Sequence, residues 1–311
     1  MVGHDSHSAK LSQLDFAIAG GSSGFITRML CQPLDVLKIR FQLQVEPISK
    51  SNLSKYHSIL HATNLIIKEE GVKALWKGHI PAQLLSVSYG IAQFWTFEVL
   101  SRQVSLLNLP SSVSPVVNFS CGSLAGCSAT LVSFPFDVVR TRLVAQSETH
   151  KVYSGILEAF KSISKKEGFL MLYRGVWPTF LQIGPHAGVQ FMCYKIFDSC
   201  YKYIVNSPNT TLTSSLVSGS LAGLCAKIVV YPFDLAKKRM QIQGFEQGRM
   251  VFGQLFKCKG LNDCLVKIYQ MEGLNGLFKG LSPSLVKAVC TSALHFSSYE
   301  MICQVLEKTK N

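Results

Sequence analysis

The chain is 311 residues long, 48% hydrophobic and only 16% charged, with a formal net charge of +13 and a positive mean hydropathy. This balance points away from a soluble chain of one to three domains and toward a membrane protein. Nor does the charge mark a nucleic-acid binder, because 22 of the 31 Lys and Arg residues, with 12 of the 18 acids, fall in three segments, 35–78, 137–175 and 234–280.

Taken in chain order, the start Met1-Val2-Gly3-His4-Asp5-Ser6-His7 has neither an apolar signal core nor an Arg-rich amphipathic helix, so no cleaved targeting segment is expected. The first apolar stretch, Phe16 to Leu34, contains one Arg and runs into Pro33-Leu34-Asp35-Val36-Leu37-Lys38-Ile39-Arg40. A polar segment leads to Glu70-Gly71 and Trp76-Lys77-Gly78, and an uncharged stretch follows from Ile80 to Phe97. The pattern then returns. Uncharged Val116 to Phe136 leads into Pro135-Phe136-Asp137-Val138-Val139-Arg140-Thr141-Arg142, Glu167-Gly168, Tyr173-Arg174-Gly175 and uncharged Val176 to Tyr194. Leu212 to Phe233, with one Lys, leads into Pro232-Phe233-Asp234-Leu235-Ala236-Lys237-Lys238-Arg239, Glu272-Gly273, Phe278-Lys279-Gly280 and Leu281 to Tyr299, again with one Lys.

Two motifs in one order, three times over, make the chain a tandem repeat. Each apolar stretch is about as long as a bilayer-spanning helix requires. The expected fold is therefore an all-α membrane protein of six transmembrane helices in three pseudosymmetric repeats, 14–107, 114–205 and 212–308, forming one domain. The basic segments between paired spans belong on the inner face, which puts both termini outside. Within those segments a short amphipathic helix is expected; in the middle repeat Ile156, Leu157, Phe160 and Ile163 recur at helical spacing, with Lys161, Lys165 and Lys166 on other faces. Glycines four apart, Gly20 and Gly24, Gly122 and Gly126, Gly219 and Gly223, predict close helix approach in lipid. A Pro within each first span predicts a kink, drawing three helix ends together below a central cavity. The ten cysteines form no close Cys-x-x-Cys pair and read as small buried hydrophobes.

With Pro-x-Asp-x-x-Lys/Arg-x-Lys/Arg followed by Glu-Gly-x-x-x-x-aromatic-Lys/Arg-Gly in all three units, the chain resembles the mitochondrial carrier family over essentially its whole length. The resemblance implies a monomeric transporter of the inner mitochondrial membrane that exchanges anionic metabolites or cofactors by alternating access. It also implies a matrix gate in which Asp35 pairs with Arg140, Asp137 with Lys237 and Asp234 with Lys38. A glutamine brace is expected nine residues after each Pro; Gln42 and Gln241 match, whereas the middle unit has Val144. At the outer ends of the even helices, Phe97-Glu98, Tyr194-Lys195 and Tyr299-Glu300 do not supply the family's acid-to-base pairing, so a weak or absent outer network is expected.

The family's substrate contact points fall on Leu85, Gln182 and Lys287, with Ile183 beside the second, and steps of four along the same faces add Tyr89, Gln93, His186, Thr291 and His295. Arg28 and Lys227, each five residues before its Pro, join Lys287 as bases at membrane depth, where a cation needs water or a partner. Three cations suit an anion such as a diphosphate. Tyr89, His186 and His295 suit an aromatic head group, or else pack between helices. The start Met1-Val2-Gly3, the run Ile39–Gln44 and the segment Phe278–Leu285 are most similar to family members that carry thiamine pyrophosphate; these residues alone do not separate that cargo from coenzyme A or an adenine nucleotide, and a proton-leak carrier is a further alternative. No Gly-Lys-Ser phosphate loop, His-Glu-x-x-His site or nucleophile elbow is present, so neither an enzyme nor a bound cofactor or metal is expected. The free amides at helix starts after Gly78, Gly175 and Gly280 suit cardiolipin phosphates.

Overall fold

The computed structural model describes residues 12–46, 54–106, 114–148, 151–205, 212–245 and 257–309. The first residues, Met1 to His7, lie outside them. Three units of one design follow one another: α1 (Gln13–Leu43), α2 (Ile59–Glu70) and α3 (His79–Ser105); α4 (Ser114–Ala145), α5 (Ile156–Lys166) and α6 (Val176–Val205); α7 (Leu212–Gln241), α8 (Leu261–Leu277) and α9 (Leu281–Thr309). Every apolar stretch of the sequence lies inside one of the six long helices. Two of these, over 116–145 and 213–241, are long and apolar enough to cross a membrane on composition alone.

Local chemistry sets several boundaries. At the start of α1, Ser12 and Asp15 form a reciprocal capping box, the Asp15 amide donating to Ser12 Oγ at 3.3 Å and the Ser12 amide to Asp15 Oδ2 at 2.6 Å. Ser58 caps α2 through the His61 amide at 3.2 Å. Pro33, Pro135 and Pro232 lie inside α1, α4 and α7, and Pro185 inside α6. The Glu-Gly pairs stop the short helices because Gly71 and Gly168 adopt positive φ, and Gly273 breaks α8 in the same way.

The long helices pack across repeat boundaries: α3 on α4, α6 on α7, and α9 back on α1, which closes a ring. The buried apolar residues gather at the Pro end of this ring in three clusters. One centres on Val36, Val139, Val144, Tyr153 and Ile163, one on Leu37, Phe41, Tyr56 and Ile66, and one on Leu235, Met240, Cys264 and Ile268. Away from that end, large apolar side chains such as Phe94, Trp95, Phe119 and Phe191 are exposed.

Two sequence expectations are corrected. Four of the six paired glycines do not mark close helix contacts: a Cβ at Gly20, Gly24, Gly122 or Gly223 would meet nothing within 4 Å, whereas Gly126 and Gly219 lie against Tyr89 and Tyr194 of the neighbouring helix. Gly20 and Gly24 line a cavity instead, because α1 turns another face to its packing partner. In α5 the inward face is Ala159 and Ile163, while Leu157 is exposed; one helical step separates the two, so a run of adjacent apolar residues serves two surfaces.

Candidate functional site

The Pro-Asp motifs place three acids and their bases where α1, α4 and α7 converge. Arg140 Nη2 lies 2.6 Å from Asp35 Oδ2, Lys237 Nζ 2.9 Å from Asp137 Oδ2, and Lys38 Nζ 2.5 Å from Asp234 Oδ2. Each acid is thus bridged to the first helix of the next repeat, α1 to α4, α4 to α7 and α7 back to α1, so three ion pairs join three helices in a cycle. The glutamines serve two of them: Gln42 donates to Asp234 at 3.4 Å and to the Tyr231 hydroxyl at 3.2 Å, and Gln241 donates to Asp137 Oδ2 at 2.9 Å. Val144 occupies the third position, fully buried.

Two further lysines enter this layer. Lys238 Nζ lies 2.8 Å from Asp137 Oδ1 and also donates to Thr141 and Gln241. Lys287, on α9, lies 2.5 Å from Asp35 Oδ1. Asp35 therefore holds two cations, one on each oxygen.

A second layer lies beneath the first, and it was not assigned from sequence. The last base of each Pro motif is fully buried and forms a forked pair with the Glu of the Glu-Gly motif in its own repeat: Arg40 with Glu70 at 2.6 and 2.8 Å, Arg142 with Glu167, and Arg239 with Glu272. Arg142 also reaches forward to the Gln241 and Gln243 carbonyls, and Arg239 to those of Gln42 and Gln44. The base of each aromatic-base-Gly triplet does likewise. Lys77 donates to the Gln146 carbonyl at 3.2 Å, Arg174 to the Gln243 side chain, and Lys279 to the Val45 carbonyl at 2.7 Å. Burial opposes the Glu70 carboxylate, but the Arg40 hydrogen bonds and charge, and then Lys77, outweigh it and hold the group below its ordinary range. The signal for this layer was in the sequence, as the threefold recurrence of residues beyond the first base.

The triplet glycines explain how the layers fit together. Gly78, Gly175 and Gly280 all have positive φ, and a Cβ there would lie 3.3, 3.1 and 3.0 Å from the carbonyl oxygens of Arg140, Lys237 and Lys38. The starts of α3, α6 and α9 thus rest on the backbone of an ion-paired base in the next repeat, at a distance only glycine allows.

A cavity of about 420 Å³ opens above this layer between α1, α3 and α9. Of the sequence-predicted contact residues, Arg28, Lys287, Thr291 and His295 line it, together with Asp35. Arg28 donates to the Ala82 carbonyl at 2.7 Å, Thr291 lies 3.4 Å from Cys31 Sγ, and His295 Nδ1 lies 3.4 Å from Ser23 Oγ. The lining does not include Leu85, Tyr89, Gln93, Gln182, Ile183, His186 or Lys227. Tyr89 is turned toward Gly126 of α4, and Ile183 is exposed. Gln182 keeps a buried amide oxygen without a hydrogen-bond partner among the described residues. Lys227 is half-buried, with no hydrogen bond or ion pair to any described residue. At the opposite end of the long helices, the ion pairs Arg102–Glu98 and Lys202–Asp198 each lie within one helix.

A ring of six long helices in three matching units, with ion pairs closing one end below a cationic cavity, defines a carrier. The sequence model described as Mitochondrial carrier protein matches residues 10–106, 111–204 and 208–310, and the chain belongs to that family. It is 46% identical to the human protein named Mitochondrial thiamine pyrophosphate carrier, over 98% of this chain and 97% of the relative. It is 37% identical to Mitochondrial thiamine diphosphate carrier 1 of Arabidopsis thaliana, over 92% of each chain, and 35% identical to Mitochondrial thiamine pyrophosphate carrier 1 of Aspergillus terreus, over 93% of this chain and 91% of the relative.

Proposed function

We propose that this chain moves thiamine pyrophosphate across the inner mitochondrial membrane into the matrix, in exchange for nucleotides and by alternating access. The observation that carries this reading is the similarity, over more than nine-tenths of the chain, to animal, plant and fungal proteins named for that cargo. The chemistry agrees. Arg28 and Lys287 face one cavity and suit a diphosphate, which is best held by several cations, while His295 at the same wall suits a ring.

On this reading the six long helices span the membrane, their exposed aromatic and aliphatic residues facing lipid. The Pro ends and the three basic segments lie on the matrix side, and both termini face the intermembrane space. The Asp35–Arg140, Asp137–Lys237 and Asp234–Lys38 cycle is the matrix gate, with Gln42 and Gln241 as braces. Leu85, Tyr89, Gln93, Gln182, Ile183, His186, Lys227 and Thr291 complete the substrate path as the helices move. The protein works as a monomer, with cardiolipin at the helix starts after Gly78, Gly175 and Gly280.

The test is uptake into liposomes that contain the purified protein and are preloaded with thiamine pyrophosphate, adenine nucleotides or coenzyme A. Saturable thiamine pyrophosphate uptake that requires an internal counter-substrate is expected. If thiamine pyrophosphate neither exchanges nor competes with the other cargoes, the reading fails; current without counter-substrate would instead make the chain a leak carrier.

A further inference from the structure

We infer that Lys287 couples the cargo to the gate through Asp35, and that the seam between α1 and α4 is built to open first. The inference rests on the transport reading above, but its geometry stands without a cargo. Asp137 is held by Lys237, Lys238 and Gln241, all supplied by α7. Asp234 is held by Lys38 and Gln42, both from α1. Asp35 has Arg140 from α4 at the seam, and in place of a glutamine from the same helix it has Lys287 from α9.

The two arrangements differ in what an anion can remove. Gln42 and Gln241 are fully buried and carry no charge, so a diphosphate has no hold on them. Lys287 lines the cavity and carries a positive charge, so the same anion competes with Asp35 for its ammonium group. Binding therefore strips Asp35 of one of its two cations and leaves a single ion pair across this seam. The cations on the other two acids, Lys237 and Lys238 on Asp137 and Lys38 on Asp234, are not part of the cavity lining. Val144 is what makes the difference: it lies against Gly78 as Gln241 lies against Gly175 and Gln42 against Gly280, the same place in the repeat without the amide.

The experiment is a cycle of Val144→Gln and Lys287→Ala, with Val144→Met as the size control, read first by thermal unfolding of the purified protein without cargo. If both groups compete for Asp35, the glutamine raises the melting temperature by about 2 °C more with Ala at 287 than with Lys there, the size expected of one hydrogen bond to a charged acceptor. Additive shifts overturn the proposal whatever the cargo is. So does failure of Val144→Gln to accumulate where Val144→Met does, because the geometry requires the glutamine to fit. The second readout is thiamine pyrophosphate exchange. Val144→Gln should lower kcat roughly tenfold with little change in KM, a gate held shut by a bond the cargo cannot displace. Unchanged kcat in a protein that otherwise exchanges thiamine pyrophosphate overturns the coupling alone, whereas wild-type protein that exchanges no thiamine pyrophosphate overturns the cargo assignment and leaves the melting cycle to decide the coupling.

Discussion

Glu70→Gln isolates what the second layer contributes. The change keeps shape and volume but removes the charge that receives a forked Arg40 pair at 2.6 and 2.8 Å and Lys77 at 2.5 Å. Arg40 and Glu70 side chains are 1% and 3% exposed, so Arg40 is left facing a neutral amide in a dry site while Lys77 keeps Glu148 at 3.1 Å, a loss of about 3–5 kcal/mol for the broken buried pair. At roughly 2 °C per kcal/mol for a chain of this size, the melting temperature of detergent-purified protein should fall by about 6–10 °C. Glu98→Gln supplies the contrast, since its pair with Arg102 is 60% and 78% exposed and is worth well under about 1 kcal/mol. The pH dependence follows from the depressed Glu70 pKa. A carboxyl bound more strongly as the anion in the folded state contributes stability that is complete above its unfolded pKa of about 4.3 and is lost as pH falls through the lower folded value. Wild-type protein should therefore lose melting temperature more steeply than Glu70→Gln below pH about 4.3. Equal melting temperatures for wild-type and Glu70→Gln at neutral pH would refute the reasoning.

Gly280→Ala should lower the melting temperature by several degrees and slow exchange, because the new methyl group would lie 3.0 Å from the Lys38 carbonyl and 2.9 Å from the Tyr231 hydroxyl at a φ of +81°; thermal unfolding and liposome uptake check both, and a neutral result would mean that the helix start does not rest on the gate backbone. Lys227→Gln should leave melting temperature unchanged or higher, since a half-buried cation without an ion-pair partner is removed, yet lower thiamine pyrophosphate exchange by tenfold or more; a variant with full transport would exclude Lys227 from the substrate path. Arg28→Gln should raise KM for thiamine pyrophosphate, and an unchanged KM would place the diphosphate elsewhere.

The parts of the fold that were legible were those written three times. Repetition turns a weak motif into an address: it located the six long helices and the recurring acids and bases without any knowledge of packing, while the pairing of those acids across repeats came from the family resemblance. What repetition does not encode is which face of a helix meets which neighbour. Gly20 and Gly24 carry the spacing of a packing motif and line a cavity, because the same small residues that let helices approach also leave space when no helix is there. Likewise, steps of four from Leu85 and Gln182 trace a helix face correctly, but the rotation of that face about its axis is fixed by α4 and α7 packing against it, which no local spacing reports. The second layer was missed for a different reason. Arg40, Arg142 and Arg239 recur as regularly as the gate bases, but their partners lie 25 to 33 residues away in sequence, and recurrence alone does not say which acid meets which base.

The two layers divide the work by burial. In the lower layer each guanidinium is held by a forked carboxylate, Arg142 and Arg239 also by the next repeat's carbonyls, so little of it is within reach of an anion arriving from the cavity. Such pairs cost too much to break during a transport cycle, and they suit a frame that keeps each short helix and its repeat together as a rigid unit. The upper layer joins different repeats through a few ion pairs and glutamine hydrogen bonds near the cavity floor, where favourable bonds to a cargo are enough to shift the balance. The forked pairs resist movement within a repeat, whereas the upper-layer contacts between repeats are the ones a bound cargo can reach, which suits the alternating access proposed above. The departures from threefold order at Val144 with Lys287 and at Lys238 fall in the upper layer and not in the frame. That is where asymmetry can set the order of opening without weakening the parts that must stay together.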